Sequence, residues 1–233
     1  YAIKIWDVPP PDTATISVGD TVSGELETPG VKDVWTFTTT GQTVAAEVRS
    51  VHPPGGSGCD GIPYISWTLE GPGGVVASNW LFGCGLQWAP TVLPAGTYTI
   101  TVTTGSQYVG NYSFKLWDVP PPDLGTVMVG GTANGSIEGP GQSDRWTFTT
   151  SGGPLTVHPT SVHPAGGTGC DGSVTLLWRL YNAADEELSS QWLWCDFDHE
   201  LTLDPGTYTI VVEHYWWWNQ WLSAVDYSFE LRS

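Results

Sequence analysis

Basic side chains are scarce in this sequence: seven Lys and Arg against 24 Asp and Glu, a formal charge of −17. Nucleic-acid phosphate and an anionic membrane surface would both be repelled. No apolar run reaches the length of a membrane-spanning helix, so neither nucleic acid nor membrane insertion is expected. Catalytic signatures are missing as well. There is no GxSxG elbow, no HExxH and no glycine-rich phosphate loop, which argues against an enzyme and against an organic cofactor. Amphipathic helices are absent too. The one helix-like run, "NAADEELSS" at Asn182–Ser190, corresponds to "GPGGVVAS" in an earlier repeat and reads as a turn. The chain begins at Tyr1 without a signal peptide, as a mature chain or an excised piece would.

What is abundant is glycine (29), proline (18), threonine and valine, the composition of short strands and tight turns. The sequence is also written twice. "WDVPPPD" at Trp6–Asp12 returns at Trp117–Asp123, "DVWTFTT" at Asp33–Thr39 as "DRWTFTT" at Asp144–Thr150, and "SVHPPGGSGCDG" at Ser50–Gly61 as "SVHPAGGTGCDG" at Ser161–Gly172, each shifted by 111. "GTYTI" at Gly96–Ile100 recurs at Gly206–Ile210, and "YSFKL" at Tyr112–Leu116 as "YSFEL" at Tyr227–Leu231. Between these last two motifs the second copy is five residues longer, and the extra length holds "HYWWWNQW", His214–Trp221.

Period-two alternation gives the strand faces. Tyr112, Phe114 and Leu116 share one face. Lys115 on the other becomes Glu230 in copy two, a reversal best tolerated in water. Trp35 and Phe37 point inward, because Val34 between them becomes Arg145. The expected architecture is all-β: two tandem antiparallel β-sandwich, jelly-roll-like domains joined by a Pro-rich linker. Residues 1–11 form a terminal strand and linker of a preceding repeat or a donor strand, residues 12–122 the first repeat, and residues 123–233 the second repeat with its Trp-rich insertion. Cys59 and Cys84 are 25 residues apart, as are Cys170 and Cys195. One disulfide per copy is the simplest pairing, each worth about 3 kcal/mol on the chain-entropy model. Disulfides imply an extracellular or cell-surface location.

"GDTVSGELETPGVKDVWTFTTTGQTVAAEV", "LPAGTYTITV" and "GNYSFKLW", matched in copy two by "GGTANGSIEGPGQSDRWTFTTSGG", "LDPGTYTIVV" and "DYSFELRS", resemble the bacterial pre-peptidase C-terminal domain. That resemblance spans both ends of each copy and not the cysteine-flanked middle. It implies a secreted, usually non-catalytic β-sandwich appended to exported enzymes or surface proteins, sometimes binding polymers. It also implies calcium as a candidate ligand at Asp33 and Asp144. Of the two acidic positions common in that family these two match, while Val31 and Gln142 occupy the other. Asp60 and Asp171 sit in Asp-Gly turns, where backbone capping is the default role. His52 and His163, each before proline, are expected to anchor loops. His158, His199 and His214 are particular to copy two.

The best ligand or interface candidate is the insertion: Tyr215, Trp216, Trp217, Trp218, Asn219 and Trp221. Three consecutive tryptophans cannot all face one way, and an exposed indole marks an interface. A flat ring beside amides suits a pyranose or a protein partner. A further clue is that the terminal strand occurs three times while everything else occurs twice. Either Tyr1, Ile3 and Ile5 or Tyr227, Phe229 and Leu231 belong to a surplus strand, which could complete a neighbouring chain's sheet. Burying three such side chains is worth roughly 5–8 kcal/mol before ordering costs. The sequence therefore points first to a non-catalytic structural repeat of an extracellular fibre, stalk or surface adhesin. Its partners would be copies of itself, head-to-tail, or adjacent repeats. The alternative is a carbohydrate-binding or adhesive module that uses the Trp-rich hairpin on an extracellular polysaccharide.

Overall fold

A computed structural model describes residues 5–59, 65–81, 83–105, 108–171, 176–195, 197–214 and 224–233. Every regular element among the described residues is a strand. The chain divides into two compact units, the first spanning Tyr1–Val119 and the second starting at Pro120. The first contains β1 (Asp12–Thr15), β2 (Thr21–Leu26), β3 (Lys32–Thr39), β4 (Gln42–His52), β5 (Ile65–Gly71), β6 (Gly74–Trp80), β7 (Gly85–Leu93), β8 (Gly96–Thr104) and β9 (Gly110–Val119). The second contains β10 (Asp123–Thr126), β11 (Thr132–Ile137), β12 (Ser143–Thr150), β13 (Gly153–Pro164), β14 (Leu176–Asn182), β15 (Glu187–Trp192), β16 (His199–Leu203), β17 (Gly206–His214) and β18 (Val225–Arg232). Only Pro120, Pro121 and Pro122 separate β9 from β10.

Each unit is a sandwich of a five-stranded and a four-stranded sheet. The orders are β1-β3-β8-β5-β6 with β2-β9-β4-β7, and β10-β12-β17-β14-β15 with β11-β18-β13-β16. The repeat in sequence is thus a repeat in topology, strand for strand. The cores lie between the sheets. In the first unit Phe37, Leu69, Tyr98 and Ile100 of one sheet meet Val44, Val48, Tyr112, Phe114 and Leu116 of the other. In the second unit Phe148, Trp178, Leu180 and Ile210 meet Leu155, Val157, Tyr227, Phe229 and Leu231. They include the period-two inward positions of β3 and β9 and of their copies β12 and β18.

One feature differs from expectation. The five-stranded sheets are mixed, because β1 runs parallel to β3 and β10 parallel to β12. The chain reverses twice between them, once into β2 in the opposite sheet and once back, so the third strand runs in the direction of the first. Of the two terminal strands given as alternatives for the surplus one, the C-terminal strand is taken up by its own unit. β18 pairs with β11 on one side and β13 on the other, and Tyr227, Phe229 and Leu231 are buried in their own unit. β9 fills the same slot between β2 and β4. Each unit thus supplies its own strand to that slot. Tyr1 and Ile3 lie outside the described residues, and Ile5 is 89% exposed.

The disulfides Cys59–Cys84 and Cys170–Cys195 join each unit to itself, with Cα–Cα separations of 5.5 and 5.8 Å. β13 shifts register against β18 between Pro159 and Ser161, as β4 does against β9 between Val48 and Ser50.

Candidate functional site

Because the two units share one topology, residues that differ at equivalent positions separate scaffold from specialisation. The scaffold includes a polar relay found in both. Trp35 Nε1–H donates to the Tyr112 hydroxyl at 2.8 Å, and that hydroxyl donates to Asp33 Oδ2 at 2.5 Å. Trp146, Tyr227 and Asp144 repeat it at 2.7 and 2.6 Å. Gly24 pairs with Tyr112, and Gly135 with Tyr227. A Cβ on either glycine would overlap the tyrosine hydroxyl and the aspartate. Asp33 and Asp144 are buried, and in each the second oxygen, Oδ1, has no protein partner.

Burial pushes the Asp144 carboxyl up to about 6, opposed by the Tyr227 hydrogen bond and reinforced by Asp123 and Glu138. Burial likewise raises Asp33, with Asp12 and Glu27 adding to it. Burial and the facing carboxylate keep both tyrosines protonated. This donor set does not amount to a calcium cage, which takes about six to eight oxygens. Among the described residues no group of three or more His, Cys, Asp or Glu side chains converges. Val31 is in the core, and Gln142 Oε1 instead accepts the Glu138 N–H at 2.6 Å.

The histidines are dispersed. His52 and His163 each place Nδ1 3.0 Å from the carbonyl of the following proline, a loop anchor as expected. His199 takes the core position held by Trp88 in the first unit: Trp88 packs against Trp67, and His199 against Trp178 at 5.4 Å. Burial lowers the His199 pKa, and its Nε2 lies 3.1 Å from the Trp192 carbonyl. His158 pairs with Asp198 at 2.5 Å on the outward side of β13. Asp171 donates its backbone N–H to the Val162 carbonyl, whereas Asp60 lies outside the described residues.

The linker motif is also anchored. Trp117 donates Nε1–H to the buried Glu47 at 2.8 Å, Arg49 pairs with Glu47 at 2.9 Å, and Lys115 Nζ sits 3.5 Å from the Trp117 ring centroid. In the second unit Arg232 stands where Trp117 does and pairs with Glu230. Trp6, the earlier copy of Trp117, is 42% exposed.

The largest specialisation is on the outward face of the second five-stranded sheet. In the first unit the cross-strand rows of this face read Trp80–Ser66–Thr103–Lys32 and Ser78–Thr68–Thr101–Val34. In the second they read Trp192–Leu177–Glu213–Ser143 and Ser190–Arg179–Val211–Arg145. Small hydroxyls have become Leu177, Arg179, Val211 and Glu213. Leu177 and Val211 are buried and form the floor of this face. Arg179 donates from Nε to Glu213 at 2.7 Å and from Nη1 to Glu187 at 3.0 Å, and the Tyr181 hydroxyl reaches the same Glu187 oxygen. The Arg179 hydrogen bond lowers the Glu187 pKa, and that to Glu213 raises Arg179.

At the margin of this face Trp192 and Trp194 lie with ring centroids 6.4 Å apart at 26°. Leu193 between them points into the core and donates its N–H to the Leu176 carbonyl, so alternation sends both indoles outward, with Trp194 52% exposed. The next residue, Cys195, is tied to Cys170. The Trp-rich insertion leaves β17 directly after His214, the cross-strand neighbour of Leu176. Tyr215, Trp216, Trp217, Trp218, Asn219 and Trp221 themselves lie outside the described residues. Sequence reasoning did not single out Arg179, Glu213, Glu187 or Trp192 as site residues. The signal was the change from Ser66, Thr68, Thr101 and Thr103 at outward positions of an otherwise repeated pattern.

No protein-family model and no curated protein matches the sequence. Among solved structures, the chain is similar to the pre-peptidase C-terminal domain of a collagenase from Bacillus anthracis, at 18% identity over 48% of this chain and 97% of that one, with a TM-score of 0.35. It is similar to the CUB1-EGF-CUB2 domains of rat MASP-1 at 8% identity over 95% of this chain and 100% of that one, with a TM-score of 0.30. It is also similar to the tandem CBM51 modules of a family 98 glycoside hydrolase from Streptococcus pneumoniae, at 10% identity over 90% and 83%, with a TM-score of 0.25.

Proposed function

We propose that the chain is a non-catalytic, extracellular adhesive module that binds carbohydrate through its second unit. The observation that carries this reading is positional. The aromatic insertion and the altered outward face both depart from the first copy, and the insertion begins where that face ends, at Glu213–His214. A scaffold repeated twice and specialised once is expected of a module whose second copy took on a ligand. One disulfide in each unit supports an oxidising, extracellular setting. Indoles beside amides and a charged hydrogen-bonding cluster suit a sugar's apolar face and its hydroxyl rim. The test is retention of the full chain on insoluble neutral polysaccharides. Wild type should be retained, and Trp217→Ala with Trp218→Ala should pass through with an unchanged unfolding temperature. No retention on any glycan would end this reading.

A second reading, a segment of a fibre or stalk, is favoured by one observation: the Trp6–Asp12 motif duplicates Trp117–Asp123, and Trp117 is locked onto its own unit by Glu47, Arg49 and Lys115. Such a motif suits a repeated joint between sandwiches. Sedimentation showing only monomer at high concentration would remove head-to-tail assembly of this chain.

A further inference from the structure

Building on the carbohydrate reading, we propose that the outward face of the second five-stranded sheet is itself a contact surface for an uncharged glycan chain. Trp192 and Trp194 serve as its stacking platform, and Arg179, braced by Glu213 and Glu187, as its hydroxyl-binding hub.

The platform is built rather than incidental. Leu193 anchors the two indoles from below, and the Cys170–Cys195 disulfide fixes the chain immediately after them. The rings stack with centroids 6.4 Å apart at 26°, and the half-exposed Trp194 presents the apolar face of the pair. Such a surface matches the C–H face of a pyranose. The hub supplies the polar half. A guanidinium has five N–H donors, and Arg179 uses Nε and one Nη1 hydrogen on its two carboxylates. Arg179 of β14 thus stands as a donor between two acceptors, Glu187 of β15 and Glu213 of β17. Vicinal hydroxyls, each both donor and acceptor, pair with such an arrangement. Rotamers already fixed by ion pairs lose little further entropy when a ligand binds.

The charge selects the class of glycan. Arg179 is already matched by two carboxylates, so a polyanion finds no unpaired cation at the hub, and the chain as a whole carries −17. A cationic polymer is the competing occupant, and salt separates the two, because screening weakens ion pairing and leaves stacking in place.

The first unit provides the control. The fourfold change Leu177→Ser, Arg179→Thr, Val211→Thr and Glu213→Thr restores residues that the same topology already carries in unit one. Affinity electrophoresis of the full chain in gels containing hydroxyethylcellulose, xylan or galactomannan measures binding directly. Wild type should be retarded by at least one of them at low and high salt alike. The fourfold variant should lose at least about tenfold in affinity, and so should Trp192→Ala combined with Trp194→Ala. Thermal unfolding identifies any variant that fails to fold, and the two variants act on different strands. If the fourfold and the Trp192/Trp194 variants bind as wild type while Trp217→Ala with Trp218→Ala abolishes retardation, the insertion alone makes contact. That result overturns this inference and leaves the carbohydrate reading standing. Retardation lost at high salt would mean a charged partner and overturn it as well. No retardation of wild type would end both.

Discussion

Replacing Asp144 by asparagine should flatten the pH dependence of the second unit's stability. Asp144 is 2% exposed, accepts one hydrogen bond from Tyr227 and leaves Oδ1 without a partner. Its carboxyl rises from 3.8 to about 6, first through burial and then through Asp123 and Glu138. A carboxyl whose pKa is raised on folding holds its proton more tightly in the native state. Its stabilising contribution is therefore complete below the unfolded value and is lost as pH rises through the folded one. That displacement corresponds to about 3 kcal/mol in full, of which about 2.4 kcal/mol is lost between about pH 4 and about pH 7.5.

Asparagine keeps an acceptor for the Tyr227 hydroxyl and carries no charge, so this part of the pH dependence disappears. Relative to wild type the variant should gain about 2.4 kcal/mol on going from pH 4 to pH 7.5, whatever its offset at either end. Hydrogen exchange followed by mass spectrometry on peptides from β12 and β18 reads the second unit separately from the first. Parallel pH profiles for wild type and variant would refute the reasoning, since they would mean that Asp144 titrates as an ordinary carboxyl.

Gly135→Ala should destabilise the second unit by about 1–3 kcal/mol through overpacking against Tyr227 and Asp144, and peptides of the first unit should show no change in exchange. Cys170→Ser with Cys195→Ser should lower second-unit stability by about 3 kcal/mol in chemical denaturation. Peptide mapping without reductant should recover only Cys59–Cys84 and Cys170–Cys195, and a bridge between the units would contradict the assignment. Deleting Tyr1–Pro11 should leave the unfolding temperature of both units within error, because β9 and β18 already fill the slots that this strand resembles.

Much of the fold was legible because its signals are local or repeated. Alternation placed Tyr112, Phe114 and Leu116 inside, and the change of Val34 to Arg145 marked an outward position correctly. What was missed depended on distant partners. Asp33 stands two residues before Trp35 and four before Phe37, so the same alternation puts it inside. A carboxylate is ordinarily read as solvated, and the hydroxyl that satisfies it comes from Tyr112, 79 positions away.

The parallel edge strands β1 and β10 are four residues long and take their direction from two changes of sheet, which no short-range pattern records. His199 stood out in the sequence only as particular to copy two, and the fold sets it, half-buried, in the place of Trp88. The outward change from Ser66, Thr68, Thr101 and Thr103 to Leu177, Arg179, Val211 and Glu213 was present in the aligned repeats. Its meaning became visible only when strand register put all four on one face beside Trp192.

The most direct test of the account is a microarray of neutral and charged glycans probed with the full chain and with the fourfold variant Leu177→Ser, Arg179→Thr, Val211→Thr and Glu213→Thr. Wild type should bind a set of uncharged glycans, and the variant should lose that set while still unfolding cooperatively from a folded state. Binding confined to charged glycans, binding to none, or equal binding by both proteins would contradict a glycan-contact face on the second unit.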